Sequence, residues 1–164
     1  MVTNVHTFSD KNKIAEEFSV VIKEYFTSKG VEVVDMEDHA IYRGKDVDFI
    51  IKKNGKRKKV ELKADTYYPR NFYIEVVSNT TKGTPGCFLY TESDYILYAF
   101  INHGVFYMIP TKEFQEWFKE NEDRFPEPKS KIFTPAGTGG YYSLGKLVPV
   151  KTMVSELNLN PFKI

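Results

Sequence analysis

Gly44-Lys45-Asp46-Val47-Asp48-Phe49-Ile50-Ile51-Lys52-Lys53-Asn54-Gly55-Lys56-Arg57-Lys58-Lys59-Val60-Glu61-Leu62-Lys63 reads as two strands joined by a tight turn. Asn54 and Gly55 both tolerate the positive φ that a two-residue hairpin requires, so 47–51 and 59–62 are expected as antiparallel neighbours. Side chains repeat every two residues along a strand, which puts Glu61 and Lys63 on one face. Asp48 stands thirteen positions before Glu61, where the partner strand begins. Three charged groups can then converge on one point.

Upstream, Ile14, Phe18, Val21, Ile22, Tyr25 and Phe26 recur at helical spacing, with Ser9 or Asp10 able to cap the start and Gly30 able to end it. Glu16 lies opposite the apolar face of this helix, whereas Glu17 and Glu24 lie on its border and alone could look into a neighbouring cleft. Short apolar runs at 31–34 and 39–42 predict strands before the hairpin, and 72–77 predicts one after it. A Thr-, Gly- and Pro-containing loop at 79–85 then leads into a short helix or an irregular crossover. Strands at 95–101 and 105–109 flank Asn102-His103-Gly104, and Thr111 can cap a helix carrying Phe114, Trp117 and Phe118. Beyond Asn121, three prolines and Gly137-Thr138-Gly139-Gly140 predict a loop-dominated arm before a last strand at 147–150. That glycine cluster lacks the lysine and following helix of a nucleotide-binding loop and reads as a connector. The expected fold is α/β: one domain over 1–164, with its core at about 10–120 and a loop-rich arm at about 121–164. Its central mixed sheet has the first helix on one side and later helices on the other.

Two carboxylates suit a hard cation such as Mg²⁺, which prefers oxygen ligands and is held by one or two protein carboxylates together with phosphate oxygens. Such an ion polarises a phosphate and lowers the pKa of a bound water. A lysine beside it stabilises the charge that develops on phosphorus or orients the attacking water. Asp48, Glu61 and Lys63 therefore suit hydrolysis of a phosphodiester.

The acidic residue opening one strand and the Glu61-Leu62-Lys63 triplet on the next resemble the signature of the PD-(D/E)XK nuclease superfamily. The order of helix, Asp and Glu-X-Lys looks especially like archaeal Holliday-junction resolvases, and the later hairpin looks more like restriction-type enzymes. The resemblance covers roughly 10–109, with Val47 standing where the signature has proline. It implies a restriction-endonuclease-like core and a Mg²⁺-dependent DNA endonuclease, with Mn²⁺ able to substitute. Asp48, Glu61 and the Leu62 backbone carbonyl would hold the metal, Lys63 would act on water or phosphate, and Glu17 would complete the shell. Asp46, expected on the same strand face as Asp48, is the second choice for the metal aspartate. Junctions, flaps and single-strand/duplex boundaries are the expected targets, and the alternative is an inactive nucleic-acid-binding module with the same fold.

Lys52, Lys53, Lys56, Arg57, Lys58 and Lys59 crowd the turn and are expected to meet nucleic-acid phosphates. Tyr67, Tyr68, Arg70 and Asn71 follow Lys63 and could stack on unpaired bases or grip the backbone. Glu75 could add a second ligand or pair with Lys63. His6, His39 and His103 lack metal-ligand spacing, and a lone Cys87 excludes an intramolecular disulfide and a cysteine-based zinc site; it reads as a core residue. The 23 Lys and Arg nearly cancel the 22 Asp and Glu, so local clustering rather than net charge bears on a polyanionic partner. A hydrophobic fraction of 41% with 13 Phe and 11 Tyr excludes a disordered chain. No apolar run approaches the roughly 18 residues of a membrane span. The expectation is a soluble, cytoplasmic protein with DNA as partner, no membrane, and a homodimer as an open option.

Overall fold

The structure, a computed structural model, describes residues 8–133 and 140–164, with side chains for 13–128 and 140–164. His6, the cap candidates Ser9 and Asp10, and most of the glycine cluster lie outside what is so described.

Helix α1 (Phe8–Ser28) forms where the apolar spacing predicts it and turns its Phe18, Ile22 and Phe26 inward. Gly30, at φ 72°, ends it: the Gly30 N–H reaches the Thr27 carbonyl and the Val31 N–H the Phe26 carbonyl, both at 3.0 Å. Strand β1 (Glu32–Asp35) follows. The 39–42 run, expected as a strand, is instead one helical turn, α2 (Ala40–Arg43). Four residues of alternation do not separate the two conformations, and here no strand ladder recruits the segment.

The hairpin of β2 (Phe49–Lys53) and β3 (Lys56–Asp65) forms as expected, with Asn54 at φ 51° and Gly55 at φ 74°. Its register pairs Phe49 with Val60 and Lys53 with Lys56. After it come β4 (Asn71–Asn79), β5 (Thr84–Pro85), α3 (Cys87–Tyr90), β6 (Tyr95–Phe100), β7 (Val105–Pro110) and α4 (Thr111–Asn121). Thr111 is the first residue of α4 and does not cap it; its hydroxyl meets that of Ser93 at 3.0 Å.

In the arm expected to be loop-dominated, the described residues form β8 (Lys129–Phe133), β9 (Gly140–Pro149), α5 (Val150–Glu156) and β10 (Pro161–Lys163), and the strand expected at 147–150 is the end of β9. Strand β9 pairs with β4, a partner some 70 residues earlier, so local composition does not show its full length. A side chain at Gly145 would overlap the Tyr73 ring on that partner, which explains a glycine within the strand.

Among the described residues the strands form a mixed sheet in the order β1-β2-β3-β6-β7-β10, with β3 and β6 parallel, and an antiparallel sheet in the order β5-β4-β9-β8. The six-stranded sheet is the expected central mixed sheet of an α/β fold, with α1 on one face and later helices on the other; the four-stranded sheet was not expected. One core lies between α1 and the six-stranded sheet, built on Phe18, Ile22, Phe49, Val60, Leu97 and Phe106. The other lies on the opposite face, where Ile96, Tyr98 and Phe100 meet Phe72 and Ile74 of β4, Phe88 of α3, Phe114 of α4 and Met153 of α5. No helix of the described residues is long and apolar enough to cross a membrane.

Candidate metal centre

Extending the β2–β3 register by one residue from Phe49 and Val60 sets Asp48 directly opposite Glu61. The Asp48 N–H donates to the Val60 carbonyl at 3.0 Å, and Asp48 Oδ2 accepts the Leu62 N–H at 2.7 Å. These bonds fix the Asp48 side chain against the backbone of β3. What Leu62 contributes to this bond is its N–H; its side chain belongs to the core beneath α1.

Glu61 and Lys63 pair with Ile96 and Tyr98 of β6 and so share the face turned toward β4 and α3. Only 7% of the Glu61 side chain is exposed, against 35% for Lys63, whose Nζ lies 3.8 Å from Glu61 Oε1. Glu61 Oε2 is buried with no hydrogen-bond partner. Burial, followed by the nearby Asp48 charge, pushes the Glu61 carboxyl up to about 9. Burial also raises Asp48, and the Leu62 N–H and the Lys63 charge offset this only in part. The Lys63 ammonium sits above its ordinary value: burial opposes its charge, and the Cys87 and Glu61 groups outweigh that effect.

Asp46, expected on the strand face, sits instead in the turn before β2, at φ 49°. From there its carboxylate reaches Glu61 and Cys87, the three ligand atoms lying within 4.8 Å of one another. Burial and the neighbouring Asp46 push the Tyr90 phenol up to about 12. Burial pushes the Cys87 thiol up to about 12 as well, against the pull of Lys63. Cys87 is the core residue the sequence predicted, but its place beside the carboxylates, and Tyr90, were missed, for no motif marks α3 as the wall of this cleft. Glu37 was also missed; it is held by Ser19 at 3.4 Å and Lys23 at 3.7 Å and adds negative charge near Asp48. Glu75 contributes to the field around Lys63.

Glu17 does not join this group. Helix α1 covers the face of β3 that carries Val60 and Leu62, and alternation sends Glu61 and Lys63 to the other. Glu17 is exposed, 4.0 Å from Lys13, at a cavity of about 530 Å³ that Phe18, Thr66, Tyr67 and Asn102 also line. The wheel position identified its border correctly and could not say which sheet face the border overlooked.

The basic turn is displaced as well. Lys56 is five residues from Glu61, or about 17 Å along an extended strand. Lys52 pairs with Glu32 at 2.9 Å, Lys53 donates to the Lys29 carbonyl at 3.3 Å, and Lys58 lies 3.9 Å from Asp94; Lys56, Arg57 and Lys58 are exposed. At the other end of β3, Tyr67 and Tyr68 are 70% and 63% exposed. Tyr68 meets His103 edge to face at 5.0 Å, and the Arg70 guanidinium lies 5.4 Å from the Tyr68 ring.

No protein family, curated protein or solved structure matches the chain. The chemistry of the cleft must therefore carry the functional reading.

The donor set fits a hard divalent cation. Asp46 and Glu61 bring ligand atoms within 4.8 Å of each other, Asp48 stands opposite Glu61 in the strand register, and Glu61 Oε2 is an acceptor without a donor. Leaving such an acceptor buried costs roughly 1–3 kcal/mol, more if it is charged, and a bound cation removes that cost.

Proposed function

We propose that this protein is a divalent-metal-dependent nuclease that hydrolyses DNA phosphodiester bonds, with a restriction-endonuclease-like core. The observation that carries the reading is Glu61: a buried carboxylate with an unsatisfied oxygen, opposite Asp48 and 3.8 Å from the Lys63 ammonium. Groups arranged in this way are costly in a purely structural role.

Asp48 and Glu61 would hold Mg²⁺, or Mn²⁺ in its place, with Asp46 as a further oxygen donor. The ion supplies polarisation of the scissile phosphate and a more acidic bound water. Asp48 keeps its orientation through the Leu62 N–H. Lys63 retains its proton and sets a fixed positive charge where negative charge grows on the phosphoryl oxygens. Strand β3 runs from the basic turn past this site to the exposed tyrosines, an arrangement that supports duplex phosphates at one end and unpaired bases at the other. Boundaries such as flaps and junctions fit that order.

Asp48→Asn, Glu61→Gln and Lys63→Ala test the reading directly. Each should lower cleavage at least about a hundredfold while leaving the fold and DNA affinity nearly unchanged, because each removes an interaction made chiefly in the transition state. DNA binding by the unaltered protein with no metal-dependent cleavage would favour an inactive binding module.

A further inference from the structure

Cys87 is the chain's single cysteine, and the proposed hydrolysis does not use it. It opens α3, buried, with its Sγ and carboxylate oxygens of Asp46 and Glu61 all within 4.8 Å of one another. Cys87 packs in the core beside Phe88 and its thiol meets Lys63, yet a small apolar side chain would fill that space without setting sulfur beside two carboxylates. The second observation is independent of this grouping: Glu61, with 7% of its side chain exposed, keeps Oε2 without any hydrogen-bond partner.

Against the sequence expectation of no cysteine-based zinc site, we propose that Asp46, Glu61 and Cys87 form a site for a thiophilic divalent cation of the Zn²⁺ class, adjoining the hard-cation position at Asp48 and sharing Glu61 with it.

Sulfur selects softer ions, whereas the Asp48 side of the cleft offers oxygen alone. Two carboxylates and one sulfur supply three of the four positions of a tetrahedral ion and leave one for water. Metal–ligand bonds of 2.0–2.3 Å set the donors of such an ion roughly 3.5 Å apart, so the three side chains need close by little more than about 1 Å. Asp46 can make that movement because it stands in a turn and not in a strand ladder. On binding, the Cys87 S–H bond and the Glu61 carboxyl O–H bond break, both protons pass to solvent, and the sulfur and oxygen keep the electron pairs that form the bonds to the metal; nothing is oxidised or reduced. Lys63 opposes the incoming cation and favours the thiolate, so its two effects partly cancel. The site needs only these residues and does not depend on the nuclease reading. Where that reading holds, Zn²⁺ and Mg²⁺ compete for Glu61.

Titration of the full-length chain with Cd²⁺, without DNA, tests the site through the ultraviolet sulfur-to-cadmium charge-transfer band. Because Cys87 is the only cysteine, any band reports on it alone. The band should saturate at one ion per chain and be displaced by Zn²⁺. Asp46→Asn and Glu61→Gln should each raise the half-saturating concentration at least about tenfold, since losing a ligand costs no less than losing its outer partner. Zn²⁺ affinity measured by calorimetry should fall similarly in Cys87→Ser. An absent band, or one whose half-saturation neither carboxylate variant moves, overturns the proposal. Since no DNA is present, failure of the nuclease reading leaves this result unaffected.

Discussion

Asp48 and Glu61 face each other across β2 and β3, yet only Asp48 is answered by a donor: its Oδ2 takes the Leu62 N–H at 2.7 Å, while Glu61 Oε2 is buried without one. Without a cation, then, Glu61 weakens the fold. Glu61→Gln keeps its shape and removes the buried acid, so in EDTA it should raise the melting temperature, by roughly 2–4 °C for each kcal/mol recovered. Thermal unfolding followed by circular dichroism reads this, and a lower melting temperature would mean that Glu61 is a stabilising partner of Lys63.

The exposed Lys56, Arg57 and Lys58 stand about 10–17 Å along the strand from Glu61, where they can meet phosphate without touching the reacting bond. Replacing all three with Ala should weaken DNA binding and flatten its log–log salt dependence by about 0.7 to 0.9 per lost contact, with cleavage at saturating protein preserved. Anisotropy titrations at several salt concentrations measure the slope. A slope equal to that of the unaltered protein removes the turn from the binding surface.

Gly86 crosses β4 so closely that a Cβ there would lie 1.9 Å from the Glu75 carbonyl oxygen. Gly86→Ala must push back a paired strand, at a cost of about 1–3 kcal/mol or more, and should lower the melting temperature by several degrees. Unchanged melting would show that the approach is looser than described.

The hairpin was legible because Asn54-Gly55 states its own φ angles, and its register then brings Asp48 to Glu61 with no further information. The α1 core was legible for a similar reason: its apolar residues repeat at the helical period. Sequence periodicity stops at the element. It could not tell which face of β3 the α1 border overlooks, and so could not place Glu17 relative to Glu61 and Lys63. It found only the end of β9, as a strand at 147–150, because the partner β4 is distant in the chain and the glycine at 145 is explained only once Tyr73 is set against it. Asp46 and Cys87 lie about 40 residues apart, and only tertiary packing brings them to Glu61.

Glu156 joins α5 to the end of α4, accepting from Arg124 Nη1 and Nη2 at 2.9 and 2.7 Å and from Trp117 Nε1 at 2.8 Å. The Arg124 bonds first, then Trp117, lower its carboxyl from the ordinary 4.5 to about 2. A carboxyl whose folded value is depressed adds stability that is complete above the unfolded value and is lost as pH falls through the folded one, here between about 4.5 and about 2. Glu156→Gln should therefore melt below the unaltered protein at neutral pH, with the gap closing over that window. A gap that persists below it would contradict the assignment.

The proposed function requires that the Asp48, Glu61 and Lys63 cleft cut DNA through a divalent cation. Incubation of the purified protein with labelled single-stranded, duplex, flap and four-way DNA, with Mg²⁺ or Mn²⁺ and in parallel with EDTA, tests it most directly. Metal-dependent cleavage is expected, strongest on the flap or four-way substrate, abolished by EDTA and lacking in Glu61→Gln under the same conditions. Cleavage that persists in EDTA, or that Glu61→Gln carries out at the full rate, would contradict it.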